Sequence, residues 1–88
     1  MVSQKVTVIN EQGLHMRPAG ALAKVVKEHP ECEVTLHANG KTVKAKSPMQ
    51  IMSAGLKKGC EVEIECSGAD EQAVLDEIAG MFADGFGE

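Results

Sequence analysis

Residues 13–18 read Gly-Leu-His-Met-Arg-Pro and hold the side chains of this chain best suited to chemistry. His15 stands at the mouth of a predicted helix, Arg17 two residues on, and Pro18 inside the first turn. The first N–H groups of a helix lack intrahelical partners, and the dipole leaves partial positive charge there. Such an end is a ready anion site. Pro18 suits the first turn, because its missing N–H would have been an orphan and its φ is already helical. Gly13 lets the chain turn sharply into the helix. Neutral imidazole is a nucleophile near pH 7. Arg17 offers a planar fork of donors matched to phosphate oxygens. The chemistry is the brief holding and release of a phosphoryl group on a ring nitrogen. The bland alternative is a surface histidine beside a surface arginine. For an isolated His-x-Arg that alternative is the better one; the glycine, the proline and the apolar helical pattern behind them shift the balance.

The elements that must position this loop follow from periodicity. Residues 5–9 read as a short strand with Val6 and Val8 on one face. Residues 16–27 carry Ala19, Leu22, Ala23 and Val26 at helical spacing, and Pro30 closes that helix. Residues 32–38 alternate, with Cys32, Val34, Leu36 and Ala38 opposite Glu33, Thr35 and His37. Asn39-Gly40 supplies a hairpin turn, and residues 41–46 return with Val43 and Ala45 toward the core. Ser47-Pro48 opens a short second helix, serine as N-cap and proline as its first residue; Gly55 ends it. Gly59 marks the turn into the last strand, residues 60–66, where Cys60, Val62, Ile64 and Cys66 alternate with Glu61, Glu63 and Glu65. The final helix begins near Asp70-Glu71, with a stripe of Val74, Leu75, Ile78, Met81 and Phe82; Gly85 and Gly87 let its end fray. The order βαββαβα, with one polar face per strand, implies an α+β fold whose helices cover one side of a sheet. No linker, repeat or low-complexity segment divides the chain, so residues 1–88 read as one domain.

Composition narrows the function. Eighty-eight residues make a small domain able to hold a core. Net charge is −4, no basic run occurs, and the only aromatic rings are Phe82 and Phe86 near the C-terminus. That argues against nucleic acid, which needs an electrostatic footprint and stacking platforms. The start lacks the apolar core of a signal peptide, and no apolar run approaches membrane-spanning length, so a cytoplasmic protein is expected. The three cysteines, Cys32, Cys60 and Cys66, form no Cys-x-x-Cys and fall in phase with apolar strand positions. They read as small buried hydrophobes in a reducing compartment. A zinc site combining them with His29 or His37 is the alternative, and its spacings fit no common pattern. Otherwise His29 and His37 read as ordinary surface residues. No Gly-rich nucleotide loop is present, and no cofactor or metal is expected.

Gly-Leu-His-Met-Arg-Pro-Ala at 13–19 closely resembles the active-site signature of the HPr family, the histidine-containing phosphocarriers of the bacterial sugar phosphotransferase system. Lys46-Ser47-Pro48-Met49-Gln50-Ile51-Met52-Ser53 resembles that family's regulatory-serine segment. The similarity covers essentially the whole chain. It implies an open-faced β-sandwich, a four-stranded antiparallel sheet with three helices on one face, with the His15 loop beside the Ser47 helix. It also implies a monomeric, stoichiometric phosphoryl carrier rather than an autonomous enzyme. His15 would accept a phosphoryl group from enzyme I through Nδ1 and pass it to the IIA domains of sugar transporters. Arg17 would steady the group in transfer, and the backbone N–H groups of Met16 and Arg17 would cradle it.

The resemblance leaves two readings of Ser47. Its place as an N-cap explains it structurally. In similar firmicute-type proteins such a serine is the target of an ATP-dependent HPr kinase/phosphorylase, and the phosphoserine form is a corepressor with a catabolite control protein. Lys46-Ser47 followed by Met49 and Met52 resembles that subgroup. The family's docking patch maps onto Met16, Arg17, Gly20, Pro48, Met49, Met52 and Ser53, although methionines at helical spacing also suit a core. Met16 stands where a small alanine is usual and Gly20 where threonine or serine is common; both bear on partner preference. Three other functions compete. One is a binding-only corepressor paralogue, against which the retained His15 argues. Another is a carrier in a nitrogen or dihydroxyacetone branch. The third is a generic interaction domain with no phosphate chemistry.

Overall fold

Strict alternation of apolar and acidic residues places one strand at the centre of the sheet. This is β4 (Glu61–Gly68), in which Val62, Ile64 and Cys66 are fully buried while Glu61 is exposed. The structure is a computed structural model that describes residues 1–87. Before β4 come β1 (Val2–Thr7), α1 (Met16–Lys27), β2 (Cys32–Ala38), β3 (Lys41–Lys44) and α2 (Pro48–Ser53); after it come α3 (Glu71–Ala83) and a 3₁₀ turn (Gly85–Gly87). The four strands form one antiparallel sheet in the order β1-β4-β2-β3.

Register follows the pleat. Gln4 and Leu36 lie opposite Ile64 from the two sides, and Val6 lies opposite Val62. A one-residue slip would turn every apolar residue of β4 to solvent, so burial holds the register. On the inner face Val34, Leu36, Val62 and Ile64 meet the apolar stripes of the helices, Leu22 and Val26 from α1, Ile51 from α2, Val74, Ile78 and Phe82 from α3. The outer face is a polar ladder: His37 Nε2 lies 2.7 Å from Glu65 Oε1 and its Nδ1 3.1 Å from Thr42 Oγ1. Lys44 pairs with Glu33 on the same face at 3.3 Å. The architecture is the expected open-faced sandwich.

Several boundaries differ from the periodicity, and each has a tertiary cause. β1 starts at Val2 instead of residue 5, because Val2 finds a partner opposite Cys66. Val8, beyond its end, still pairs, with its N–H 2.9 Å from the Cys60 carbonyl. β3 ends at Lys44 rather than residue 46: the Ala45 N–H still donates to the Val34 carbonyl at 3.1 Å, but the chain then turns toward α2, with the Ser47 N–H donating back to the Lys44 carbonyl at 3.3 Å. β4 begins at Glu61, so Cys60 lies outside it and is only half-buried. Met81 is likewise only partly buried in α3. Gly85–Gly87 forms a 3₁₀ turn in which Gly85 is buried, and Phe86 rests edge-on against Phe82 with ring centres 4.9 Å apart.

The cysteines differ in chemistry accordingly. Burial, then the neighbouring Cys32 sulfur, pushes the Cys66 thiol up to about 12. At pH 8 a thiol at that value is ionised to roughly one part in ten thousand. Cys60 is half-buried, with Sγ 3.7 Å from Asn39 Oδ1. Iodoacetamide at pH 8 should therefore label Cys60 alone in the native protein, and Cys32 and Cys66 only after denaturation. Peptide mapping that found all three labelled at similar rates would contradict this packing.

Candidate functional site

The loop before α1 is laced to the loop before β4. Gly59 N–H donates to the Val8 carbonyl at 2.8 Å, and Leu14 N–H donates to the Leu56 carbonyl at 2.8 Å. Gly13 N–H closes a turn onto the Asn10 carbonyl at 3.0 Å. Gly13 has φ +68°, and a Cβ built on it would sit 2.3 Å from the Leu56 oxygen. Glycine is required there on both counts, left-handed backbone and close approach. Leu14 is buried, and Pro18 and Ala19 anchor the first turn of α1 in the core.

His15 is thereby set as the N-cap of α1, with φ −80° and ψ −167°. Its carbonyl accepts the Ala19 N–H at 3.0 Å, the first intrahelical bond. Its side chain does not bond back to the helix it caps. The N–H groups of Met16 and Arg17 have no carbonyl one turn back, and Pro18 has no N–H to offer. No acidic residue lies in the first turn, while Lys24 and Lys27 occupy the last, where they complement the dipole. Met16 is 64% exposed, and Arg17 is exposed with no ion-pair partner among the described residues. His15 is partly buried and opens onto a cleft walled by residues 9–12 on one side and by Asp84 and Gly85 on the other. Glu11, on that wall, is turned toward Lys58, with Oε1 2.6 Å from Nζ, and the ammonium holds its carboxyl below the usual range.

α2 packs against α1. Ser47 is its N-cap, as expected, accepting the Gln50 N–H at a long 3.4 Å. Gln50 reaches back past the cap to the Lys44 N–H, a variant of the capping box. Ile51 is the buried anchor of α2, whereas Met49 is 74% exposed and Met52 37%. The two methionines therefore belong to the surface and not to the core. Pro48 and Gly20 are half-buried, and Ser53 is exposed with Oγ donating to the Gln50 carbonyl at 2.7 Å. The expected patch residues thus lie on two packed helices. His29 and His37 stand elsewhere, bonded to Glu77 at 3.0 Å and to Glu65 at 2.7 Å. Among the described residues no three His, Cys, Asp or Glu side chains gather as a metal site.

Two residues of this region escaped the sequence reading. Asn39, read only as a hairpin turn, donates its amide to the Ala54 and Gly55 carbonyls at 2.9 and 3.1 Å and fastens the end of α2. Asn10 carried no pattern at all, yet its amide donates to the Gly85 carbonyl at 2.8 Å. Only contacts far apart in sequence reveal either role.

Fold and site together define a class: open-faced α+β sandwiches that offer a histidine and an arginine at the mouth of a helix. The family model described as the PTS HPr component phosphorylation site matches residues 2–84, and the chain belongs to the HPr phosphocarrier family. The phosphocarrier protein HPr of Chlamydia trachomatis serovar D is 40% identical over 82 residues, spanning 93% of this chain and 74% of that one. The crystal structure of HPr-C-His from Thermoanaerobacter tengcongensis is similar with a TM-score of 0.93 at 30% identity, covering 100% of this chain and 98% of that one. Crh, the catabolite repression containing protein of Bacillus subtilis, seen as a swapped dimer, is similar with a TM-score of 0.76 at 36% identity over 97% of each chain. No helix among the described residues is long and apolar enough to cross a membrane.

Two glycines near the site should respond in opposite directions to the same substitution. Gly13→Ala meets the Leu56 oxygen and a left-handed φ, and should lose about 2 kcal/mol or more. Gly20 is helical with nothing within 4 Å of a built Cβ, so Gly20→Ala should gain up to about 1 kcal/mol. Urea midpoints at equal m-value measure both.

Proposed function

We propose that this protein is a phosphoryl carrier of a sugar phosphotransferase system, with His15 as acceptor. The observation that carries the reading is the start of α1: an N-cap histidine whose ring does not cap its helix, above the N–H groups of Met16 and Arg17. Nδ1 attacks phosphorus while the bond from phosphorus to the donor histidine of enzyme I breaks. The phosphoryl oxygens lie against the two N–H groups, and Arg17 supplies the mobile positive charge. The site is exposed, so each such charge interaction is worth about 1 kcal/mol or less. That suits a group that must leave again for an IIA domain. A stoichiometric carrier needs no more.

Met16, Arg17, Gly20, Pro48, Met49, Met52 and Ser53 form the docking patch in this reading, with flexible thioethers serving several partners. Ser47 is a second phosphorylation site, for an HPr kinase/phosphorylase. Phosphate there would place nearly two negative charges amid the docking patch and suit a catabolite control protein as partner. The carrier is monomeric and cytoplasmic. The binding-only corepressor reading is not favoured, since it leaves His15 and Arg17 without a task. Branches serving other phosphotransferase pathways differ only in partners.

Incubation with phosphoenolpyruvate, Mg²⁺ and enzyme I should add one acid-labile phosphoryl group by intact mass, absent in His15→Ala. Arg17→Ala should slow labelling by at least about tenfold. An unlabelled protein, beside another HPr labelled in parallel, would end the carrier reading. With ATP and HPr kinase, an acid-stable phosphate should appear on the wild type and on His15→Ala but not on Ser47→Ala. Ser47→Ala should also cost about 0.5 kcal/mol of stability, the low end for a lost N-cap, because its bond is long.

A further inference from the structure

Asn10 is the one polar side chain fully buried among the described residues, 5% exposed, and phosphoryl transfer as derived above makes no use of it. Burying an amide costs free energy unless hydrogen bonds offset it, and an apolar residue of similar size would serve a core as well. What Asn10 does instead is join two distant segments. Its carbonyl accepts the Gly13 N–H at 3.0 Å and so closes the turn that delivers His15. Its side-chain amide donates to the Gly85 carbonyl, 75 residues away, at 2.8 Å. Gly85 adopts the left-handed φ of +65°, and a Cβ on it would meet Ile9 in ordinary contact at 3.5 Å.

These two bonds set the walls of the cleft onto which His15 opens, because Asn10 belongs to one wall and Gly85 to the other. The walls carry two carboxylates, Glu11 and Asp84. Glu11 is neutralised by Lys58. Asp84 has no ion-pair partner among the described residues and adjoins Gly85, whose carbonyl Asn10 holds. A phosphoryl group on His15 carries up to two negative charges, so its distance from Asp84 bears on how long it stays.

We infer that Asn10 is a positioning residue of the phosphoacceptor site, holding the turn after α3 against the His15 loop and thereby setting the lifetime and transfer rate of the phosphohistidine. The inference rests on the carrier reading of His15, and its test separates the two. Phosphoramidate phosphorylates histidine with no protein partner: its P–N bond breaks, a P–N bond to the ring forms, and ammonia leaves. Wild type, Asn10→Ala and Asn10→Asp are labelled this way, the label is mapped to His15, and its loss is followed by ³¹P NMR. Val34→Ala, a core change remote from the loop, controls for general loosening.

Both Asn10 variants should change the half-life by about twofold or more, and Val34→Ala should not. With enzyme I, kcat for labelling should fall on the order of tenfold while KM stays nearly unchanged, within what a misplacement of an ångström costs. Asn10→Asp should be the more severe, since it sets carboxylate oxygens against the Gly85 carbonyl. If Asn10→Ala does not fold, Asn10→Ser, which keeps a short donor, carries the same comparison and should fall between wild type and Asn10→Asp. Folded variants with wild-type half-life and kcat overturn the proposal. If enzyme I labels nothing, the carrier reading fails, and the phosphoramidate half-lives still decide the role of Asn10.

Discussion

One carbonyl oxygen, that of Leu56, holds the site together. It accepts the Leu14 N–H at 2.8 Å and lies where any side chain at position 13 would have to go. The contact fastens the entry of α1 to the exit of α2. The bonds of Val8 with Gly59 and Cys60 extend the lacing to the ends of β1 and β4. His15 is thus carried on a loop with the rigidity of the sheet, although its ring faces a cleft. A side chain at a loop can be well oriented only if its backbone cannot drift, and here the sheet register reaches the His15 loop in three hydrogen bonds.

The same architecture sets where the charges fall. The sheet's solvent face collects Glu33, Glu61, Glu63 and Glu65 with Lys5 and Lys44 among them, while Arg17 stands exposed at the start of α1, Lys24 and Lys27 at its far end, and Lys46 just before α2. The molecule is acidic overall at −4, yet the first turn of α1 holds no acidic residue and displays Arg17. Net charge alone would have pointed away from phosphate. What matters is that alternation sends each glutamate of β4 outward, and that the helix dipole acts at the other layer.

Much of this was legible in the residues. Alternation in β2 and β4, the helical stripes of α1 and α3, and the Ser-Pro start of α2 each identified an element, because each is a local consequence of burying one face. His15, Arg17 and Ser47 were legible for a similar reason: caps and first-turn prolines are set by residues within three or four positions. Ends of strands were not. Where β1 starts depends on Cys66, more than sixty residues away on β4. The fate of Cys60 and of the last turn likewise depends on residues brought near only by folding. Asn10 and Asn39 stayed hidden because a lone asparagine in a loop looks the same whether its amide meets water or a carbonyl 75 residues away.

Asn39 is one of several supports that hold α2 from outside. α2 has six residues, too few to persist as a helix on its own. Its stability comes from outside: Ile51 in the core, Gln50 on the Lys44 N–H, Asn39 on the Ala54 and Gly55 carbonyls, and Lys41 Nζ on the Ser53 carbonyl at 3.0 Å. Three of these four supports come from the β2–β3 hairpin. None involves Met49 or Met52. The helix is therefore held without help from the side chains it displays, so those residues are free to answer to partners rather than to folding. The arrangement at α1 is the same in kind, with Leu14, Pro18 and Ala19 buried and Met16 and Arg17 exposed. A surface that several proteins must recognise in turn is best built this way, because changing the exposed residue leaves intact the element that presents it.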